Sequence, residues 1–279
     1  MQLAIVTGAN TGLGFETALG LAAKGFQVLI TSRNGQKGRE ALARINSSNP
    51  TAKVSMLELD LASMDSIHSF IARYEARHGA WDVLVNNAGA KILSRFSETS
   101  FGVEYHYGVI AVGHFALTMD LLKHRSENAR VVSVASIVAR YAPRQLGPVG
   151  SSLSYNPGKS YSASKLANLA FAIELENLLG SDKFSSLAAH PGFARAEPYG
   201  TQSTKFFESF LAQSARAGAK PILEAATNSS ISGGSYLGPR RLELWGDVAR
   251  AKIPSRLSPY ELKENWRILE NLSGKKLIA

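Results

Sequence analysis

The stretch "LAIVTGANTGLGFETALGLAAKG" (residues 3–25) decides the fold. Its first four residues are apolar and are typical of a buried strand, and an amphipathic segment of helix length follows from Phe15 to Lys24. Between the two, Gly8, Gly12 and Gly14 are spaced G-x-x-x-G-x-G. Glycines at such a turn let a pyrophosphate approach the backbone N–H groups at a helix N-terminus. The stretch therefore predicts a βα unit that binds a dinucleotide.

The same alternation of strand-like and helix-like segments runs along most of the chain. It predicts an α/β fold, a doubly wound parallel sheet (Rossmann fold) with helices on both faces. Ligands of such sheets bind beyond the carboxyl ends of the strands. No repeat or linker is apparent, so we expect a single domain over residues 1–279. The strand-like runs are residues 3–6, 28–31, 54–59, 83–85, 131–135 and 186–189, and helical segments include residues 15–24, 36–45 and 63–77.

Composition excludes several classes of protein. The chain has 279 residues, of which 45% are hydrophobic, and no cysteine, so it has no disulfide framework and no thiolate nucleophile or thiolate metal site. The net charge of +9 is scattered along the chain, which favours a solvated surface over a nucleic-acid partner. The six histidines lack metal-ligand spacing, and no metal is expected. No run reaches the roughly 18 apolar residues of a membrane span, and we predict a cytoplasmic protein with a small-molecule substrate, whose oligomeric state stays open.

Two stretches interrupt the alternation and follow predicted strands. They are "YAPRQLGPVGSSLSYNPGK" (residues 141–159) and "ARAEPYGTQSTKFFESFLAQ" (residues 194–213). We interpret them as loops that cover a substrate, and residues 194–232 as a lid within the domain; surface decoration is the alternative. Phe206, Phe207 and Phe210 form an apolar stripe that is equally consistent with core packing and with the lid of a lipophilic pocket.

The second strand ends in a basic residue. A site that prefers NAD usually carries an acidic residue here to bind the ribose hydroxyls, whereas this chain has Arg33, with Lys37 one helical turn later. Both cations suit a ribose 2′-phosphate, which favours NADP(H), although Arg33 could also point into solvent. Candidate cofactor-binding residues are Gly8, Asn10, Thr11, Gly12, Leu13, Gly14, Arg33, Asp60, Leu61, Asn87, Ala88 and Gly89.

Tyr161 and Lys165 in "SYSASKLANLAFA" (residues 160–172) are four positions apart on a predicted helix. That spacing puts them on the same face, where an ammonium about 4 Å from a phenol stabilises the phenolate by up to about 4 kcal/mol. Tyr161 then serves as an acid or base near neutral pH. The alternative is an ordinary aromatic residue and an ordinary charge on a helix surface.

Five motifs occur in an order that resembles the short-chain dehydrogenase/reductase family. They are "TGANTGLG", "NNAG" (residues 86–89), a serine at position 136 after the fifth strand, "YSASK" and "HPG", and they span residues 3–192. The segments "GHFALTMDLL", "SKLANLAFAIEL" and "YLGPRRLELWG" further resemble the branch that includes retinol dehydrogenases and related light-dependent reductases. The resemblance implies that Tyr161 exchanges a proton with the substrate oxygen, that Lys165 lowers its pKa and also holds the nicotinamide ribose, and that Ser136 binds the carbonyl. It further implies that Pro191 and Gly192 line the nicotinamide.

Two positions depart from that pattern. Ile110 stands where the family has an asparagine that holds a water, and Ala196 stands where a threonine is usual. The leading hypothesis is an NADP(H)-dependent oxidoreductase that acts on a carbonyl or secondary alcohol of an apolar substrate. The departures raise the alternative of a non-redox enzyme, such as a dehydratase, cyclase or isomerase, on the same scaffold. A third hypothesis is a cofactor-bound interaction protein without turnover.

Overall fold

The computed structural model describes residues 1–89, 93–193 and 213–277, and one sheet organises them. Within these residues the sheet has eight strands in the order β3-β2-β1-β4-β5-β6-β7-β8. Neighbours from β3 to β7 pair in parallel, and β8 joins the edge antiparallel to β7. The strands are β1 Leu3–Val6, β2 Gln27–Ser32, β3 Val54–Glu58, β4 Trp81–Asn86, β5 Arg125–Val134, β6 Phe184–Ala189, β7 Tyr236–Arg241 and β8 Trp245–Arg250.

Helices cover both faces of this sheet. Alternate residues of a strand point to opposite faces, and β1 shows both sides: Leu3 and Ile5 enter one apolar core, while Ala4 and Val6 enter the other. The first core contains side chains of α3, α5, α6 and α8, and the second contains those of α1, α2 and α7. The helices are α1 Gly12–Ala23, α2 Gly35–Ser48, α3 Met64–Glu75, α4 Tyr105–Tyr107, α5 His114–Leu122, α6 Pro157–Leu179, α7 Ala215–Thr227 and α8 Pro259–Ser273.

The doubly wound α/β fold predicted from the sequence is confirmed. Each of the six predicted strand runs falls on a strand in the structure, and the three predicted helical segments fall on α1, α2 and α3. The strand order reverses at β1, which has β2 on one side and β4 on the other. A reversal of this kind opens a crevice at the carboxyl ends of the strands, where ligands bind.

The region after β6 contains elements that the sequence did not reveal. Strands β7 and β8 form a hairpin whose turn holds Leu242 and Glu243 at φ of +52° and +59°, in the left-handed region. Of the predicted lid, residues 194–212 lie outside the described residues. The described helix α7 packs against α1 and the sheet, with Leu223 next to Gly20. Among the helices of the described residues, none is long and apolar enough to cross a membrane.

The C-terminal helix α8 is anchored by Trp266. Its ring lies 5.0 Å from the Phe115 ring at 78° and 5.9 Å from the Phe171 ring at 27°, measured between centroids. We expect Trp266→Ala to lower the free energy of unfolding by about 3 to 5 kcal/mol, because it leaves a cavity between three helices. Trp266→Phe, which keeps a ring there, serves as the control in urea unfolding. A loss below about 1 kcal/mol for the alanine variant would contradict this packing role.

Candidate active site

The glycine turn after β1 lies against the turn after β4. Gly8 has φ of +63°, and a Cβ there would lie 2.8 Å from the Cα of Ala88. A Cβ on Gly14 would lie 2.4 Å from Asn87 Nδ2 and 2.6 Å from the Gly8 carbonyl oxygen. Gly12, at φ of +56°, begins α1 with open space around it. The first N–H groups of a helix have no intrahelical acceptor, so this open turn is suited to an anion.

One buried hydroxyl, that of Thr7, links the two turns to the helix above them. Its oxygen accepts hydrogen bonds from the backbone N–H groups of Asn87 and Ala88, both at 2.9 Å, and it lies 2.9 Å from His114 Nε2. His114 Nδ1 lies 3.0 Å from the carbonyl oxygen of Ile110, which can only accept, so Nδ1 carries the proton and Thr7 donates to Nε2. Burial lowers the pKa of His114 to about 3 and keeps its ring neutral.

His114 therefore helps to fix the glycine turn as a neutral ring. Its partner Ile110 lies, fully buried, in a π-helical stretch (Gly108–Gly113) that joins α4 to α5. π-helical turns are rare and are often found near functional sites. The isoleucine that departs from the family pattern thus contributes its backbone carbonyl to the link with Thr7.

Arg33 follows β2 and Lys37 lies in the first turns of α2, and both side chains are exposed. The Arg33 guanidinium donates a hydrogen bond to the hydroxyl of Tyr105, which orients it. Glu58, a carboxylate that the sequence analysis did not consider, stands at the same edge, with its oxygen 4.0 Å from Arg39 Nη1. The register that pairs Ser32 with Glu58 brings it there, and no local sequence signal marks it.

Asp60 and Leu61 follow β3, beside this basic edge. The Asp60 carboxylate accepts from the N–H of Ala62 at 3.0 Å, and the Asp60 N–H donates to Ser66 Oγ at 2.9 Å. Leu61 is buried, and a Cβ on Gly113 would lie 2.3 Å from its carbonyl oxygen. These contacts fix the turn that carries two of the candidate cofactor-binding residues, and cofactor binding by them stays a prediction.

Tyr161 and Lys165 lie one turn apart near the start of α6, and the Lys165 Nζ atom lies 5.9 Å from the centroid of the Tyr161 ring. Lys165 is only 4% exposed, and its Nζ donates a hydrogen bond of 2.7 Å to the carbonyl oxygen of Val134, at the end of β5. Asn168 donates to the same oxygen at 3.3 Å. Burial lowers the pKa of Lys165 to about 8, because the charged form loses solvation.

Ser136 follows β5 and begins a short 3₁₀ helix, Ile137–Tyr141. Its hydroxyl accepts from the N–H of Val138 at 3.4 Å, so its proton is available to another acceptor. The 3₁₀ helix packs against α6, which carries Tyr161. The three predicted catalytic residues thus share one corner of the sheet.

Pro191 and Gly192 follow β6, and a hydrogen-bonded histidine holds the turn they form. His190 is fully buried, and its Nδ1 accepts from the N–H of Gly192 at 3.2 Å, so the ring proton is on Nε2. That atom faces the carboxylate of Glu243, with 3.4 Å between Nε2 and Oε2. Burial lowers the pKa of His190 to about 4 and keeps the ring neutral.

The β7–β8 hairpin supports this turn from the other side. Glu243 forms an ion pair of 2.6 Å with Arg140, which belongs to the 3₁₀ helix after Ser136. The N–H of Phe193 donates to the carbonyl oxygen of Leu244 at 3.1 Å. Sequence analysis missed Glu243 and Arg140 because they are 103 positions apart and the left-handed turn contains no glycine.

All predicted site residues except Ala196 fall on described positions, and they gather at the carboxyl ends of β1 to β6. Gly8, Asn87 and Ala88 form one cluster with Thr7. Tyr161 and Lys165 form a second on α6, next to the helix that Ser136 begins. Arg33 lies at the outer edge with Tyr105. Ala196 and the stripe from Phe206 to Phe210 lie outside the described residues.

Comparison with known proteins gives consistent matches. The family model described as short chain dehydrogenase matches residues 2–205. Human retinol dehydrogenase 12 is 35% identical over 98% of this chain and 86% of that protein, and human polyprenol dehydrogenase is 34% identical over 71% of this chain and 62% of that protein. A crystal structure of an uncharacterized protein from Mycobacterium paratuberculosis superposes with a TM-score of 0.81 at 30% identity, over 100% of this chain and 96% of that chain.

The buried Lys165 gives a stability signature that depends on pH. Its pKa is about 8 in the folded protein and 10.5 ordinarily, so between these values the unfolded chain binds more protons and the free energy of unfolding rises with pH. We expect the stability of the wild type relative to Lys165→Met to rise by about 2 to 3 kcal/mol from pH 7 to pH 10. Urea unfolding measures it, with the exposed Lys159→Met as control, and equal pH profiles for wild type and Lys165→Met would contradict it.

Proposed function

The chain belongs to the short-chain dehydrogenase family, and on that basis we propose that it is an NADP(H)-dependent enzyme that reduces a carbonyl, or oxidises the corresponding secondary alcohol, of an apolar substrate. Family membership and the dehydrogenase relatives make it an oxidoreductase. The observation that carries the finer proposal is the pairing of Tyr161 with the buried Lys165 at the carboxyl edge of the sheet.

The glycine turn fits a dinucleotide. The space that a Cβ at Gly8 or Gly14 would fill is taken by the neighbouring turn, and Gly12 leaves the start of α1 open. Backbone N–H groups of that first turn suit the pyrophosphate, because the helix dipole favours an anion there. When bound, the nicotinamide cofactor supplies or accepts the hydride. The protein orients the two reactants and handles the proton.

Tyr161 donates its phenolic proton to the substrate oxygen in the direction of reduction and takes it back in the direction of oxidation. The ammonium of Lys165 stabilises the phenolate by attraction between opposite charges, which is stronger in a buried site than in water. Its pKa of about 8 leaves it charged at neutral pH. The hydroxyl of Ser136 donates to the oxygen as negative charge develops on it.

NADP(H) rather than NAD(H) is supported by the charge at the end of β2. Arg33 and Lys37 are exposed there, and the hydroxyl of Tyr105 holds the Arg33 guanidinium. A planar guanidinium binds a phosphate through two hydrogen bonds, and the ribose of NAD has no 2′-phosphate to accept them. The nearby carboxylate of Glu58 has Arg39 as a neighbouring cation, with 4.0 Å between their closest atoms.

An apolar substrate is supported by the names of the relatives, retinol and polyprenol dehydrogenases, since both names denote lipophilic alcohols. The alternative of a non-redox enzyme is not favoured by the family match or by these relatives. The cytoplasmic location stays a prediction from the sequence.

Replacing Tyr161 with Phe removes the proton that the mechanism needs. We expect Tyr161→Phe to lower kcat by about 10²- to 10⁴-fold, the usual contribution of general acid catalysis, and to leave the affinity for NADPH unchanged. The measurement is oxidation of NADPH with a panel of all-trans-retinal, farnesal and tetralone, with binding followed by calorimetry. Tyr260→Phe, at a side chain that is 72% exposed, is the matched control. Full activity of Tyr161→Phe would exclude the mechanism.

Replacing Arg33 with Ala tests the choice of cofactor. We expect the affinity for NADPH to fall by about 10- to 100-fold and that for NADH to stay the same, because a hydrogen bond to a charged group is worth about 1.5 to 3 kcal/mol. Calorimetric titration with both nucleotides gives the two constants. The control is Arg39→Ala, at the neighbouring cation that faces Glu58. An equal loss for both nucleotides in Arg33→Ala would count against recognition of the 2′-phosphate.

A further inference from the structure

A second group of buried polar side chains lies behind Tyr161, and the mechanism above does not use it. Glu104 is 2% exposed and His106 is 0% exposed. A carboxylate oxygen of Glu104 lies 2.6 Å from His106 Nδ1. The hydroxyl of Tyr155, in the loop before α6, donates to that oxygen at 3.2 Å. A buried charge is costly unless it is paired and hydrogen-bonded, so this arrangement calls for an explanation.

The Glu104 carboxylate is held rigidly. It is the N-cap of α4, and its second oxygen accepts from the N–H of Tyr107 at 3.1 Å. Burial raises the pKa of Glu104, but the hydrogen bonds from His106 and Tyr107 outweigh it and bring the pKa below its usual range. The group is therefore ionised at neutral pH. Since a carboxylate can only accept, His106 Nδ1 donates to it, and this bond determines the orientation of the imidazole.

The fixed imidazole contacts the ring of Tyr161. The two ring centroids are 6.2 Å apart and the ring planes are at 81°, an edge-on geometry that aromatic pairs favour. The Nζ of Lys165 also lies near that ring, 5.9 Å from the centroid. The His106 contact comes from α4 and the Lys165 contact from α6 itself. The His106 contact therefore joins the Tyr161 ring to an element other than its own helix.

We propose that His106, held by Glu104, is a positioning residue that fixes the phenol ring of Tyr161 in the orientation needed for proton transfer. The inference rests on the proposed function, because it assigns a role in the reaction of Tyr161. Glu104 acts through His106, and Tyr155 supports the carboxylate from the side of the loop. A misplacement of about 1 Å at a reacting group costs about 100-fold in rate, so a side chain that only orients the ring has a large effect on kcat.

The test separates positioning from folding by three variants. His106→Asn keeps an N–H donor for Glu104 but removes the ring that contacts Tyr161. We expect it to lower kcat by about 10- to 100-fold, with the KM for NADPH and the calorimetric affinity for NADPH unchanged. Tyr260→Phe, at a side chain of α8 that is 72% exposed, is the control and should keep kcat within about threefold of the wild type. The double variant Glu104→Gln with His106→Phe restores an aromatic edge without a buried charge, and we expect it to recover most of kcat.

The assay uses NADPH and whichever of all-trans-retinal, farnesal and tetralone the wild type reduces fastest. Urea unfolding checks each variant, and the double variant carries the test if His106→Asn does not fold. A wild-type kcat in His106→Asn, or a double variant that folds and binds NADPH but stays as slow as His106→Asn, would overturn the inference. If Tyr161→Phe is inactive while His106→Asn is fully active, the inference about His106 is wrong and the proposed function stands. Full activity of Tyr161→Phe, or no turnover of the panel by the wild type, overturns the proposed function as well.

Discussion

The buried ammonium of Lys165 is the constraint on which the rest of the site depends. A cation with 4% exposure is tolerated only if strong acceptors replace water, and the Val134 carbonyl at the end of β5 provides one at 2.7 Å. That bond ties the first turns of α6 to the central strand of the sheet, and with them Tyr161. The lysine still loses solvation, so its pKa falls to about 8. This pKa is close to the neutral pH range in which general acids and bases work.

The glycine turn after β1 also depends on buried hydrogen bonds, and the groups that make them are uncharged. Thr7 accepts from two backbone N–H groups of the turn after β4 and donates to His114, so a single hydroxyl fixes both turns and the helix above them. His114 and His190 make their contacts as neutral rings, because burial lowers the pKa of His114 to about 3 and that of His190 to about 4. Two charged side chains, Lys165 and Glu104, lie in this part of the site. In the proposed mechanism Lys165 stabilises the phenolate of Tyr161, and Glu104 orients the Tyr161 ring through His106.

The β7–β8 hairpin at the edge of the sheet also carries a side chain that contacts the candidate site. An antiparallel edge strand is common on an otherwise parallel sheet, but here its turn also delivers Glu243 to His190 and Arg140. The Glu243 carboxylate thus forms an ion pair with the 3₁₀ helix that follows β5 and lies 3.4 Å from the histidine that precedes the turn after β6. Pro191, Gly192 and Ser136, which the family pattern assigns to the nicotinamide and the carbonyl, depend on that same support.

The sequence by itself determined the fold class, the six strand positions and the candidate residues, because apolar runs, glycine spacing and the Tyr161–Lys165 interval are local patterns that the backbone geometry translates directly. It did not reveal β7, β8 or α8, nor the partners Glu58, Glu104, Glu243 and Arg140. Those assignments join residues that are far apart in the chain, and a left-handed turn without glycine leaves no local mark at Leu242 and Glu243. Only tertiary packing decided which carboxylate meets which cation or imidazole, since burial and strand register, not spacing, bring such groups into contact.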